Sequence, residues 1–199
     1  MKQFIVFTIT AMLLISSCTE EEDQAGILTE IEISDLVFLR QEEKLAHDVY
    51  IYAYNKYADQ IFKNIATSEQ THMDKIEALL KTYGISDPAV NLRDGEFTDT
   101  HLQSLYQQLT QKVDISLKDA YIVGATVEDL DIQDIEYFQS NTNQSDILDT
   151  YDALSCGSRN HLRSYTGRLE KLGYDYIPQF ISADTFQAIL DSDHESCGN

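Results

Sequence analysis

The chain has 199 residues, enough for one domain with a substantial core and too few for two full ones. Its 34 Asp and Glu against 14 Lys and Arg leave a formal net charge of −20, which excludes nucleic-acid binding through a general basic surface. Hydrophobic residues make up 43%, too many for a disordered acidic chain, and 2 Pro with 8 Gly are too few for many short strands joined by tight turns.

Met1 and Lys2 precede an apolar run from Phe4 to Ile15, interrupted only by Thr8 and Thr10. The run suits a signal peptide over residues 1–17 and is too short to cross a bilayer as a stable helix. The sequence Leu14, Ile15, Ser16, Ser17, Cys18 resembles a bacterial lipobox. That resemblance implies cleavage before Cys18, lipid on its thiol and attachment to a membrane without a spanning helix. Residues 18–33 read as an acidic tether, and Glu20 to Asp23 resemble the acidic tag that sends some Gram-negative lipoproteins to the outer surface. The expected location is therefore the cell envelope, with the protein lipid-anchored in the outer membrane on its periplasmic side or at the cell surface. Cys156 and Cys197 remain for an oxidising compartment, as a disulfide or as two free thiols. His194 and Cys197 form a weak H-x-x-C metal signal near the terminus.

Residues 34–190 read as one all-α domain, followed by a tail over 191–199. Ser34 or Asp35 can cap a first long helix running to Tyr57. A second runs from Asp59 to Tyr83, with Gly84 as its stop. Gly84, Pro88 and Gly95 mark a loop, and Thr98 or Asp99 can cap a short helix to Lys112. Ser116, with Asp119 three residues on, opens a third long helix to Ser140. Ser145 opens the fourth, which ends before Gly173, and Ser182 opens a short last helix to Leu190. Short connections make two antiparallel hairpins. The long connection between helices two and three makes one crossover in a four-helix bundle with short extra helices.

Polar residues interrupt each apolar stripe near its middle. The stripes are Leu36, Leu39, Glu43, Ala46, Tyr50, Ala53, Tyr57; Ile65, Glu69, His72, Ile76, Leu79, Tyr83; Tyr121, Gly124, Glu128, Asp131, Ile135, Phe138; and Leu154, Ser158, His161, Tyr165, Leu169, Leu172. Four facing helices would bury Glu43, Glu69, Glu128 and Asp131 together with His72 and His161. Four unpaired carboxylates in a dry core would each cost several kcal/mol, or would protonate. Their charge of −4 balances two divalent ions, and an oxygen-rich set with two imidazoles suits Fe(II) or Mn(II). Each element alone is ordinary: a run of acids such as residues 128–131 is usually a solvated face, and Glu42 competes with Glu43 for the inward position. Tyr50, Tyr121 and Tyr165 read first as core packing, with ligand support or electron relay as the functional alternative. Arg159 and Arg163 are read as partners of the ligand carboxylates or as exposed salt bridges.

Residues 40–50 (RQEEKLAHDVY), 64–73 (NIATSEQTHM), 123–132 (VGATVEDLDI) and 157–163 (GSRNHLR) resemble the prokaryotic family called domain of unknown function 2202. That resemblance implies a ferritin-like four-helix fold. A more distant similarity to rubrerythrin implies ligand roles for Glu43, which it favours over Glu42, and for Glu69, His72, Glu128, Asp131 and His161. It also implies a departure, because Ser158 stands where the fourth-helix Glu would be. No Cys-rich rubredoxin module is present, so electrons would come from a separate redox partner. The resulting expectation is a protein with two divalent ions, iron foremost and manganese second, oxidising Fe(II) with peroxide or O₂. A metal holder without turnover and a metal-free interaction module are the alternatives.

Overall fold

The computed structural model describes residues 26–197, so the proposed signal peptide, Cys18 and the acidic run at 20–23 lie outside the described residues. Six helices and no strand occur among the described residues: α1 (Glu30–Tyr57), α2 (Gln60–Thr82), α3 (Thr100–Val113), α4 (Leu117–Gln139), α5 (Ser145–Lys171) and α6 (Ala183–Asp191). None of these helices is long and apolar enough to cross a membrane. α1, α2, α4 and α5 are the long members, and α1 packs with α2 as α4 does with α5. The two hairpins meet through α1 against α4 and α2 against α5, and α3 rides on α1 and α4 within the crossover.

Local chemistry sets the helix ends. α1 starts at Glu30, earlier than Ser34 or Asp35, because Thr29 and Glu32 form a reciprocal capping box. Ala58 turns the chain in the left-handed region (φ 54°) and Asp59 caps α2 at once, which forces the antiparallel hairpin. Asp99, Ser116 and Ser182 cap α3, α4 and α6 as expected. α5 starts at Ser145, but its cap residue is Gln144, whose side chain makes no capping bond. Leu172, placed on the inward stripe by its spacing, is exposed at the C-terminal end of α5.

The apolar core divides into two clusters along the bundle. One gathers Val49, Tyr50, Phe62, Leu102 and Tyr165, and the other gathers Leu36, Leu39, Ile76, Ile135, Tyr151 and Leu154. In each long helix the inward acids and histidines fall between residues of the two clusters. Burial is more polar than the stripes predict, since Glu32, Asp35, Glu42, Asp48 and Asp129 are also inside. Most of these are spent on backbone or on neighbouring polar groups. Thr142 Oγ1 donates to Glu32 (2.6 Å) and Asn141 Nδ2 to Asp35 (2.8 Å), which ties the start of α1 to the α4–α5 turn. Gln41 Oε1 accepts from the backbone N–H groups of Thr98 and Asp99 at 2.9 and 3.1 Å, while Lys44 bonds Asp48 and donates to the Arg93 carbonyl. These contacts hold the crossover against α1.

Asp129 overturns the reading of residues 128–131 as a solvated face, as do the buried Glu128 and Asp131 on either side of it. Its carboxylate accepts from the backbone N–H groups of Gln179, Phe180 and Ile181 and from the Tyr176 hydroxyl. It therefore pins the segment between α5 and α6. Asp129→Ala would leave those donors facing a void. Its expected effect is a loss of about 3 kcal/mol or more of unfolding free energy in urea titration, since a stranded buried donor costs about 1–3 kcal/mol.

Candidate metal centre

The six residues singled out by the stripes are all buried, and they reach the bundle interior from four helices: Glu43 from α1, Glu69 and His72 from α2, Glu128 and Asp131 from α4, and His161 from α5. Two groups of three have one potential ligand atom each within 4.8 Å of one another: Glu43, Glu69, His72 and Glu69, Glu128, His161. Glu69 belongs to both. Its Oε2 lies 2.8 Å from His72 Nδ1, and its Oε1 lies 2.8 Å from His161 Nδ1. Glu43 Oε2 is 3.2 Å from His72 Nδ1, and Glu128 Oε2 is 3.3 Å from His161 Nδ1. The two imidazoles stack with ring centres 5.7 Å apart. One carboxylate thus divides its oxygens between two matched Glu/His pairs.

His72 Nδ1 and Glu43 Oε2 form a hydrogen bond, but other converging atoms go unpaired. Glu69 Oε1, His161 Nδ1 and Glu43 Oε1 are buried and have no hydrogen-bond partner, although Glu69 Oε1 and His161 Nδ1 are only 2.8 Å apart. Buried polar atoms are nearly always paired, so atoms that converge without pairing fit a common third partner between them. Five side chains that offer carboxylate oxygen and imidazole nitrogen form two groups of three, each of which could hold a metal ion.

Without metal, protons take the cation's place. Burial disfavours charge on His161, but Glu69 and Glu128 outweigh it and push its pKa up to about 10. Burial likewise opposes protonation of His72, and Glu43 and Glu69 overcome it, raising the pKa well above the usual imidazole value. Glu69 is held below the usual carboxylate range, because His161 and His72 overcome the effect of burial. Glu43 and Glu128 are driven up to about 7, chiefly by burial.

Asp131 belongs to neither group of three. Its Oδ2 accepts from the Ser158 hydroxyl, so the residue that replaces the fourth-helix Glu engages a carboxylate from α4. Tyr50 donates to Glu128 Oε1 at 2.5 Å and orients that side chain. Tyr165 packs its ring over Gly124, where a Cβ would lie 2.6 Å from ring carbons, and its buried hydroxyl has no hydrogen-bond partner. Tyr121 instead points its hydroxyl at Asp59, at the far end of α4. Arg159 and Arg163 do not reach the ligand carboxylates. They clamp Glu195 at 2.5 and 2.8 Å, and Cys156 and Cys197 form a disulfide, so the last residues form a strap along α5. Beneath that strap a cleft of about 340 Å³ reaches the edges of His72 and His161, lined also by Lys75, Gly157 and His194. A Cβ at Gly157 would sit 2.5 Å from His72 Nε2, so only glycine leaves the ring in place.

Glu42 is the functional candidate that stripe reasoning set aside. It is buried beside Glu43, and neither of its oxygens meets a hydrogen-bond donor. The competition between Glu42 and Glu43 for one inward position was the signal; both occupy the interior.

The raised values have a definite consequence for stability. Between pH 4.5 and 10 the metal-free folded chain binds more protons than the unfolded chain, through Glu43 and Glu128 first and His161 above them. Stability should therefore fall as pH rises across this window, in the presence of chelator. The check is a series of thermal melts from pH 5 to pH 10, in which the melting temperature declines.

The protein is 46% identical over 168 residues to the uncharacterised protein MJ0754 of Methanocaldococcus jannaschii, which covers 84% of this chain and 91% of that one. The crystal structure of the hypothetical protein MJ0754 superposes with a TM-score of 0.84, covering 85% of this chain and 97% of that chain. Residues 32–193 match the uncharacterised protein domain DUF2202, and the chain belongs to that family.

Proposed function

We propose that the protein is an exported, lipid-anchored, ferritin-like di-metal carboxylate protein that oxidises Fe(II) with peroxide or O₂. One observation carries the reading: two matched Glu/His pairs converge on the two oxygens of Glu69, and Glu69 Oε1, His161 Nδ1 and Glu43 Oε1 are buried without hydrogen-bond partners. Glu43 and His72 would hold one ion, Glu128 and His161 the other, and Glu69 would bridge them. Asp131 stands beside the pair and brings the local carboxylate charge to −4, which two divalent cations neutralise. Iron is the first choice and manganese the second, because the donors are mostly hard oxygens with one imidazole each, and no thiolate. When bound, two Fe(II) ions would together supply the two electrons that reduce peroxide to water.

The chain's own residues define the rest of the chemistry. Tyr50 fixes the Glu128 carboxylate through its hydroxyl, so that ligand presents Oε2 to the shared space. Gly157 leaves room for the His72 ring. The cleft under the strap would give a small oxidant a path to the imidazole edges, while the apolar clusters on either side keep bulk water out. A redox partner would return electrons, since no second redox centre is evident among the described residues. Lipid on Cys18 would fix the protein to the outer membrane, and the Cys156–Cys197 disulfide fits the oxidising space outside the cytoplasm.

Metal analysis of the purified chain against Glu69→Ala/His72→Ala tests the binding claim. Two ions per chain are expected in the wild type, with near-complete loss in the double variant; equal contents would overturn it. Stopped-flow oxidation of Fe(II) by peroxide then tests turnover. Retention of two ions with no faster oxidation than in buffer would leave a metal holder in place of an oxidoreductase.

A further inference from the structure

The cleft of about 340 Å³ beneath the strap lies between α2 and α5. α2 contributes Ser68, His72 and Lys75 at helical spacing, and the small residues Ala153 and Gly157 of α5 leave the space open. No Asp or Glu lines it, in a chain that carries 34 of them. Glu195 of the strap is spent on Arg159 and Arg163. Lys75 makes no ion pair among the described residues, and the Ser68 hydroxyl makes no hydrogen bond among them. The adjoining cleft shares Lys75 but is lined by Asp149 and Asp152, so the absence of acid is particular to the cleft that reaches the imidazoles.

The floor of the cleft carries a second, independent signal. His72 and His161 line it although they are only 5% and 8% exposed. Each turns Nδ1 to an oxygen of Glu69. A neutral imidazole that accepts or ligates through Nδ1 carries its proton on Nε2, and a doubly protonated ring carries one there as well. Nε2 is therefore a donor whether a proton or a cation sits at Nδ1. No protein group accepts from either Nε2 among the described residues. Gly157, where a Cβ would lie 2.5 Å from His72 Nε2, keeps the space beside that atom clear. Buried ring N–H groups are nearly always given to an acceptor, and ligand histidines above all. The cleft supplies donors and no carboxylate to receive them, so the acceptor comes from outside the chain.

We propose that this cleft binds a tetrahedral oxyanion, inorganic phosphate or a phosphomonoester, on the Nε2–H groups of His72 and His161, the Lys75 ammonium and the Ser68 hydroxyl, with the exposed His194 of the strap at its mouth. Donors on the floor, on the α2 wall and in the roof are met together by an acceptor with oxygens on all sides, and only in part by a planar carboxylate. The volume leaves room beside a phosphate for the carbon of an ester. The site goes beyond the di-metal reading and does not depend on it, because both rings donate through Nε2 with or without metal.

The test is isothermal titration calorimetry of the purified chain, metal-free and then loaded with Mn(II), against inorganic phosphate, methyl phosphate and acetate. Wild type, Lys75→Met and Lys118→Met are compared, Lys118 lying on α4 outside the cleft. Metal-free wild type is expected to bind one phosphate per chain. Lys75→Met should weaken it about tenfold or more, the scale of a hydrogen bond to a charged group, and Lys118→Met should leave it unchanged. Side-chain nitrogen NMR spectra of the metal-free wild type should show the Nε2 signals of His72 and His161 moving as phosphate is added, a readout that needs no variant. Methyl phosphate binding as well as phosphate supports a phosphomonoester as the ligand, and its exclusion supports free phosphate. No binding and no movement of the Nε2 signals at millimolar phosphate overturns the site. Equal weakening in the two lysine variants, or acetate binding as tightly as phosphate, overturns it too. Phosphate binding only after Mn(II) is loaded puts the anion on the metal, which overturns the cleft site and leaves the di-metal reading intact.

Discussion

The placement of Glu69 between two imidazoles is the constraint on which the rest of the structure depends. A carboxylate at the centre of a bundle must find positive charge, and its two oxygens look toward His72 from its own helix and His161 from α5. This joins the two hairpins through charge where they also meet through packing. Glu43 and Glu128 then add negative charge from α1 and α4, so all four long helices converge on one electrostatic problem. Protons on the imidazoles and on the outer carboxylates solve it in the absence of metal, and the proposed cations would solve it in their place. Metal binding at this centre would therefore release protons.

The buried polar residues fall into two kinds, and the difference between them identifies the site. Asp129 is fully enclosed, yet three backbone N–H groups and a tyrosine hydroxyl satisfy it. Asp48 takes Lys44 and the Gly95 N–H, and Gln41 takes the backbone at the start of α3. These residues fasten loops to helices. Glu42, Glu43 and Glu69 are equally buried but keep oxygens that meet no donor. Charge burial alone would not separate these three from Asp129, Asp48 and Gln41; the missing donors do.

Much of this was legible in the stripes. A polar residue in phase with an apolar stripe has to face the core, and Glu43, Glu69, His72, Glu128, Asp131 and His161 were found on that logic, all of them buried. The logic assigns each helix one inward face, and α1 breaks that assumption. It packs against α2, α3 and α4 together, so it is enclosed on several sides, and Glu42 and Glu43 are inside at once. Asp129 was missed for a related reason, because the segment from Tyr176 to Ile181 covers a side of α4 that periodicity assigns to solvent. Arg159 and Arg163 pair with Glu195, a contact across more than thirty residues that no helical spacing encodes. The start of α1 was misplaced because Ser34 and Asp35 look like caps, while Thr29 and Glu32 cap each other.

The two halves of the centre are alike but not equivalent, and on the proposed reading the difference would set an order of filling. Glu128 has one oxygen engaged by the Tyr50 hydroxyl, which leaves Oε2 for a cation. Glu43 has Oε1 without a hydrogen-bond partner and Oε2 bonded only to His72, itself a member of the same group of three. His72 follows Glu69 by three residues on α2, so two donors of its half share one rigid helix. His161 has Ser158 in the corresponding place on α5, and that hydroxyl bonds Asp131 instead of offering charge. The Glu43 half thus holds more available oxygen on a better-fixed frame. It is also the half nearer to Glu42, its neighbour on α1. On the proposed reading a first cation would settle there, and the negative charge left on Glu128 and shared through Glu69 would draw the second.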